Sequence, residues 1–367
     1  MTSYIIYNSA VLFCLLFAYL YERANEVVSQ GIKRLYLSLS FSSLLLLSAL
    51  RFDVGPDYET YVDIYYNFIN AVISFSPDKL FYGLLSLSFS TFERGYIYVL
   101  GIYAFFTLFF VYKTLIERQI LIWGLVVFCF IGFYLDSFDR VRQLLAVAIF
   151  LYSIKYIEEQ RLLKYTSWLL FATFIHFSAI LLFPVYLFNK FRIKPLAAFS
   201  ILICLFIMHI IGLTSGIQSY IYSHIPYYNS IYGESQFSES QGGFGTGLGF
   251  LFNILIIFYT LLLLKHNKVL WNLLFAACFL MLLSPGNLNI MRFSQYFYIS
   301  LIVAFPYTFK LHRHSGINKL IAFSLLFVFF QAQQGRNNYN YQSIFSTNFE
   351  QEYFTPRVSE RPILRQN

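Results

Sequence analysis

The chain has 367 residues, of which 58% are hydrophobic, 21% aromatic and only 12% charged, with a formal net charge of +8. A soluble domain carries roughly 25% charged residues, so this composition excludes one and describes a polytopic membrane protein with a mean hydropathy of +0.60. The positive balance does not indicate nucleic acid, because the basic residues are spread over many short loops and form no basic stripe or recognition helix. Cys14, Cys129, Cys204 and Cys278 all fall inside apolar runs. They read as small packing residues and not as a disulfide framework or metal cluster. No metal-ligand motif is present, and no cofactor is expected.

The first apolar run, residues 4–21, lacks a basic n-region and a small-residue cleavage site. It reads as a retained first helix and not a removed signal peptide. Further runs of membrane-spanning length, ~20 residues with some shorter, fall at 35–50, 95–113, 120–135, 141–157, 195–213, 247–264, 269–284, 293–309 and 320–334. Every lysine except Lys79 lies in the connectors 22–34, 113–119, 155–164, 189–194, 265–268 and 310–319. Those connectors alternate consistently if both termini are external, and lysine-rich loops then mark the cytoplasmic side. Arg51, Arg140, Arg142 and Arg292 fall at the opposite, outer side, with the aspartates. Arginine at the mouth of a membrane bundle needs a partner to offset its desolvation. Its rigid fork matches phosphate oxygens in a bidentate way that lysine cannot reproduce.

After the second span comes Arg51-Phe52-Asp53-Val54-Gly55-Pro56-Asp57-Tyr58, then Tyr61. The Gly-Pro pair forces a turn. Asp57 is placed to cap the next helix, which puts Tyr58 and Tyr61 on one face. Either this is a capped surface helix, or the crowding of Arg51, Asp53 and Asp57 at the membrane boundary is functional. Residues 79–92 are too short to cross and are expected to lie in the interface or dip into the membrane. The next constellation, Asp136-Ser137-Phe138-Asp139-Arg140-Val141-Arg142-Gln143, opens the span 141–157. Helix N-terminal amides there favour an anion; the alternative is a local ion pair of Arg142 with Asp139.

Residues 165–188 are apolar yet flanked on both sides by basic connectors. A single crossing would invert the downstream lysine pattern, so a re-entrant helical hairpin is predicted, with His176 near its tip. Such a segment is tolerated where protein buries it or where it lines a cavity. His176 reads either as a hydrogen-bonded core residue or as a titratable group carried into a cavity. The 214–246 loop holds Tyr220, Tyr222, Tyr227, Tyr228 and Tyr232 but no Lys or Arg. Its rings suit sugar faces or an interfacial belt. The run GGFGTGLG at 242–249 lacks the lysine-hydroxyl ending of a nucleotide loop and reads as a flexible entry to the next helix. Arg292 follows Pro285-Gly286-Asn287, with Tyr296 on the same helical face.

In this order, the pieces resemble the EpsG family of bacterial polysaccharide polymerases, relatives of the Wzy-type polymerases. The residues that carry the resemblance are Arg51, Gly55, Asp57, Tyr58 and Tyr61; Arg142 and Gln143; His176, Ser178 and Ala179; Arg292 and Tyr296; and Tyr339 and Tyr341. A short final span ending in Gln331 and Gln333-Gln334 departs from the family pattern. The resemblance implies a membrane-embedded glycosyltransferase that polymerises undecaprenyl-diphosphate-linked repeat units, outside the bacterial cytoplasmic membrane, into a surface polysaccharide. Its lipid-linked donor and acceptor would be its substrates, with a chain-length regulator and a flippase as candidate protein partners.

The expected fold is all-α and GT-C-like, with about ten full spans and the hairpin, in a single domain over 1–367. Residues 51–78, 214–246 and a tail from about 335 are expected outside. His176, Asp57 and Arg142 are the expected catalytic residues. Arg51, Tyr58, Tyr61, Arg140, Gln143, Arg292 and Tyr296 are expected to bind substrate. A flippase for lipid-linked oligosaccharide would also need arginines for diphosphate, although it should show internal repeats, and none is evident. An acyltransferase acting on extracytoplasmic sugars is a further alternative.

Overall fold

The computed structural model describes residues 2–24, 28–72, 79–92, 94–214, 247–264, 266–285, 287–311, 316–335 and 339–345. Within them the chain is helical, with one isolated β-bridge between Arg51 and Ser343. Helices α1 (Thr2–Arg23), α2 (Gln30–Ala49) and α5 (Gly95–Glu117) lie side by side, while α3 (Tyr58–Ile69) and the short α4 (Leu80–Ser88) fill the connection between α2 and α5. A buried polar knot ties the three long helices together. Ser40 Oγ donates to the Cys14 carbonyl at 2.9 Å and meets the Tyr112 hydroxyl at 2.9 Å. Cys14 is therefore a packing residue within that knot, as its apolar setting predicts.

Next come α6 (Leu121–Phe130), α7 (Phe133–Asp139), α8 (Val141–Glu158), α9 (Leu162–Ile175), a 3-10 helix (Phe177–Asn189) and α10 (Pro195–Ile210). After residues 215–246, outside the described part, come α11 (Leu248–Leu263), α12 (Lys268–Leu283), α13 (Leu288–Tyr298), α14 (Leu301–Leu311) and α15 (Gly316–Gln334). Among the described residues, five segments are long and apolar enough to cross a membrane: α1, α2, α5, Leu288–Lys310 and α15. The α6–α7 pair, bent by 54°, makes a sixth. The expected ten spans are thus not reproduced helix by helix. Helices α10, α11 and α12 have 16 residues each and rise about 24 Å, less than the ~30 Å hydrocarbon core. Arg142, Lys155 and Glu158 lie within α8. The chain is a multi-pass membrane protein.

The two sides drawn from lysine placement are two physical ends of the bundle. At the lysine end, Arg118 pairs with Glu158 at 2.5 Å and Lys155 with Glu117 at 2.5 Å, while Asn267 donates to Glu158 at 2.7 Å. At the other end, Asn8 near the start of α1 exchanges hydrogen bonds with Gln331 and Gln334 at the end of α15. Residues 339–345 return to the same end, where Phe52 N–H donates to the Gln342 carbonyl at 2.9 Å and Ile344 N–H to the Leu50 carbonyl at 3.0 Å. The glutamines of the short last span thereby gain partners that lipid would deny them. The tyrosine-rich 214–246 loop, apart from Thr214, and the tail after residue 345 lie outside the described residues.

Residues 165–188 do fold back as a hairpin. The Tyr165 hydroxyl donates to the Leu182 carbonyl at 2.6 Å, and its ring lies 5.7 Å from that of Tyr186. His176 ends α9 in an extended conformation and sits at the reversal. The returning arm is a 3-10 helix, and Ala179, Leu182 and Val185 are buried at its three-residue period.

This geometry has a direct consequence. In a chain whose native cysteines are replaced, a membrane-impermeant thiol reagent should label Lys164→Cys and Lys190→Cys from the same side of the membrane. Labelling from opposite sides would make the segment a full crossing.

Candidate functional site

The Arg51 turn is built against the α7–α8 corner. Gly55 has φ of +102°, and a Cβ there would meet the Phe138 carbonyl oxygen at 2.9 Å. Only glycine satisfies both the backbone conformation and the contact. Arg51 is 3% exposed and donates to the carbonyls of Ser48 and, at 3.2 Å, Phe138. Its guanidinium also lies 4.9 Å from the centroid of the Phe138 ring and 5.9 Å from that of Tyr58. This arginine fastens one turn to the other from behind. Tyr58 and Tyr61 share a face of α3, as their spacing predicts, and that face is buried.

Asp57 occupies the position before α3, yet its side chain makes no capping hydrogen bond. The expected cap is replaced by a different arrangement. The Asp57 backbone N–H donates to Asp139 Oδ1 at 3.0 Å, and the Asp57 carboxylate stands 3.8 Å from Arg292 Nη2. These two side chains are 36% and 35% exposed, so both remain open to a ligand.

The α7–α8 corner holds a second ionic group. Arg140 Nη2 lies 2.6 Å from Asp136 Oδ2 and its Nε 3.7 Å from Asp139 Oδ2. Asp136 also accepts from Gln295 Nε2 at 3.1 Å. Asp139 ends α7 and stands between the Arg140 guanidinium and the Asp57 turn. The Asp139 carboxylate lies against Arg140 Nε and accepts from the Asp57 amide. Arg142, half-buried in the first turn of α8, sets its backbone N–H and its charge against the Tyr61 hydroxyl. Gln143 Nε2 donates to the Arg292 carbonyl at 2.6 Å, which fastens α8 to α13.

Helix α13 is started by the Asn287 side chain, which accepts from Ile290 N–H at 3.0 Å. Arg292 and Tyr296 lie four residues apart on the same face, about 6 Å along the axis. Tyr296 is fully buried, and its hydroxyl meets Ser178 Oγ at 3.0 Å. That contact carries the hairpin tip, with half-buried His176, to the helix face that bears Arg292.

The predicted residues therefore divide by placement. Arg292 meets Asp57 through its guanidinium and Gln143 through its carbonyl, with Arg142 next to Gln143 in the chain and His176 linked through Ser178 and Tyr296. Arg51, Tyr58, Tyr61 and Tyr296 form the buried wall behind them. Sequence reasoning named Asp139 only as a local ion-pair partner and left out Gln295 as a member of the network. Gln295 was detectable, since it lies three residues after Arg292 on the same helix face. Among the described residues, no group of three or more His, Cys, Asp and Glu side chains is arranged to hold a metal ion.

The EpsG family model matches residues 34–346, which covers the whole of this site. No curated protein and no solved structure matches the chain.

Gly55→Ala should destabilise the protein by on the order of 1–3 kcal/mol, because it adds both backbone strain and a clash. Thermal unfolding in detergent would show it as a lowered midpoint, whereas Gly316→Ala, with open space around it, should be near neutral. Equal midpoints for the two variants would refute the close approach of the turns.

Proposed function

The chain belongs to the EpsG family, a family of Wzy-type polysaccharide polymerases, and from that premise we propose that it joins lipid-diphosphate-linked oligosaccharide repeat units at the outer face of the bacterial cytoplasmic membrane. The observation that carries this reading is the facing of Asp57 and Arg292 at 3.8 Å, both about one-third exposed. A guanidinium held this loosely is ready to exchange its carboxylate for a diphosphate. The Arg140 guanidinium, by contrast, is already engaged by Asp136 and Asp139.

In the proposed reaction, a hydroxyl of the acceptor sugar attacks the anomeric carbon of the donor chain. The new carbon–oxygen bond forms as the bond to the lipid diphosphate breaks, and the leaving diphosphate takes the electron pair. Arg292 and Arg142 stabilise that developing charge, because preorganised donors are most effective where charge appears in the transition state. The hydroxyl proton passes to a general base, Asp57 or His176. Diphosphate binding to Arg292 would draw this arginine away from Asp57 and leave the carboxylate free to accept the proton. His176, brought up by the Ser178–Tyr296 contact, is the other acceptor. Gln143 holds the Arg292 backbone, and Arg51 and Arg140 fix the turns that carry Asp57 and Asp139. Arg51, Arg140, Tyr58, Tyr61 and Tyr296 thus position the site, while Asp57, Arg142, His176 and Arg292 face the substrate.

Polymer length on cells carrying variants tests these roles. Arg142→Lys and Arg292→Lys keep the charge but lose the fork, and each should slow polymerisation by about 10²–10³. Asp57→Asn and His176→Gln keep hydrogen-bonding capacity, and at least one should reach the membrane folded and fail to polymerise. Long polymer at wild-type rate from both lysine variants would remove the diphosphate clamp. The same result from Asp57→Asn and His176→Gln would remove general-base catalysis by either residue.

A further inference from the structure

A cavity of about 140 Å³ lies at the lysine end, far from the Asp57–Arg292 site along the bundle, where the end of α1, the α5–α6 corner, α14 and α15 meet. Its inner wall is apolar. Trp123 and Phe309 meet edge to face with centroids 4.6 Å apart, and Pro306 completes the wall. Its rim is polar and mainly cationic, with Lys310, Lys319 and Glu22.

The cations at this rim are not paired in the way Lys155 and Arg118 are. Lys155 and Arg118 each have a carboxylate within 2.5 Å. Lys310 and Lys319 have none within ion-pair distance among the described residues. Among the described residues, Lys310 Nζ donates to the Arg118 carbonyl at 3.3 Å and lies 6.0 Å from the centroid of the Tyr307 ring. Glu22 directs its Oε1 to the Ile122 amide at 3.2 Å, so part of its charge is spent on the start of α6. Two ammonium groups thus line one cavity, and Glu22, the carboxylate among its described lining residues, is engaged by the α6 amide.

The flanking helices add the second half of the argument. Helices α1 and α15 both pack on α6, and each turns an apolar face outward, with Leu12, Leu16 and Tyr19 exposed on α1 and Leu320, Ile321 and Val328 on α15. A ligand that suits this place is anionic at the rim, covers an aromatic wall below it and continues along apolar helix faces. An amphiphile has that profile; an inorganic anion would leave Trp123 and Phe309 unsatisfied. Basic pockets between membrane helices on the lysine-rich side are suited to lipid phosphates, and lysine stems lie along apolar surface while their ammonium groups reach the headgroup level.

We propose that this cavity binds the phosphate-bearing headgroup of an anionic phospholipid whose acyl chains lie along α1 and α15. The site needs only that the chain spans a membrane, and it stands or falls separately from the polymerase reading. A bound lipid would tie the first and last long helices to α6 at the end opposite the reaction.

The full-length protein, purified in a neutral detergent, can be titrated with phosphatidylglycerol, phosphatidylcholine or inorganic phosphate. Bound lipid is read by native mass spectrometry, and stability by thermal unfolding. The tightest phosphatidylglycerol should bind at least about tenfold more tightly than phosphatidylcholine and should raise the unfolding midpoint. Lys310→Gln with Lys319→Gln should remove that preference while the lipid-free midpoint stays at the wild-type value. Should the double variant fold poorly, Lys319→Gln alone, at the exposed start of α15, should weaken phosphatidylglycerol binding severalfold. Equal affinity for the two lipids, or an unchanged preference in the lysine variants, would overturn the proposal. Equal stabilisation by inorganic phosphate would also overturn it, since the cavity would then be a simple anion site.

Discussion

The contact on which the site depends is the clamp between the turn after α2 and the corner between α7 and α8. A buried guanidinium, that of Arg51, spans them with hydrogen bonds to two carbonyls and aromatic rings on either side. An uncompensated buried charge costs several kcal/mol, so the placement of Arg51 requires both turns at once. Gly55 allows the turns to approach to a distance no side chain tolerates. The other polar groups of this end follow from that approach: Asp57 is delivered to Arg292, Asp139 to the Asp57 amide, and Arg140 to the two aspartates of its own corner. The tail adds a third layer, with residues 342–344 hydrogen-bonded to both sides of Arg51.

Within that frame the arginines separate by how fully they are compensated. Arg51 has carbonyls and rings, and Arg140 has two carboxylates. Arg292 faces one half-buried carboxylate at a distance longer than a tight ion pair, which is the arrangement expected where an anionic ligand is to enter and leave. The membrane sets the reason for this division. Charges at the boundary of an apolar bundle are tolerated only with partners, so a lightly partnered arginine is a costly feature unless a substrate completes it. The hairpin meets the same constraint on one face: Ala179, Leu182 and Val185 are buried and Ser178 reaches Tyr296, while Phe177, Leu181 and Leu187 stay exposed as apolar surface.

Much of this was legible in the sequence, and the legible parts share a cause. Lysine placement reports topology because each connector must sit at one end or the other, and the two ends drawn from it are the ends of the bundle. The hairpin at 165–188 was legible because basic residues flank an apolar segment on both sides. Its second arm as a 3-10 helix was not, since the three-residue burial of Ala179, Leu182 and Val185 is hidden in an all-apolar run. The motif around Arg51 announced a special turn through Gly55 and Pro56, but not that Arg51 would turn inward; which way a guanidinium points depends on Phe138, 87 positions away. Asp57 was misread as a helix cap for the same reason, because the competing partner Arg292 lies far along the chain. The sequence marks the runs that become α10, α11 and α12 as apolar, but the length of an apolar run does not show where its helix ends, and these helices have 16 residues each.

The most direct test of the central claim is reconstitution of the purified protein in lipid vesicles with a defined lipid-diphosphate-linked repeat unit. The account predicts a ladder of lengthened glycans, with one lipid diphosphate released for each glycosidic bond formed, and loss of that ladder when Arg292 is changed to lysine. Movement of the intact lipid-linked unit between leaflets, with no product longer than a single repeat, would contradict it and identify a transporter.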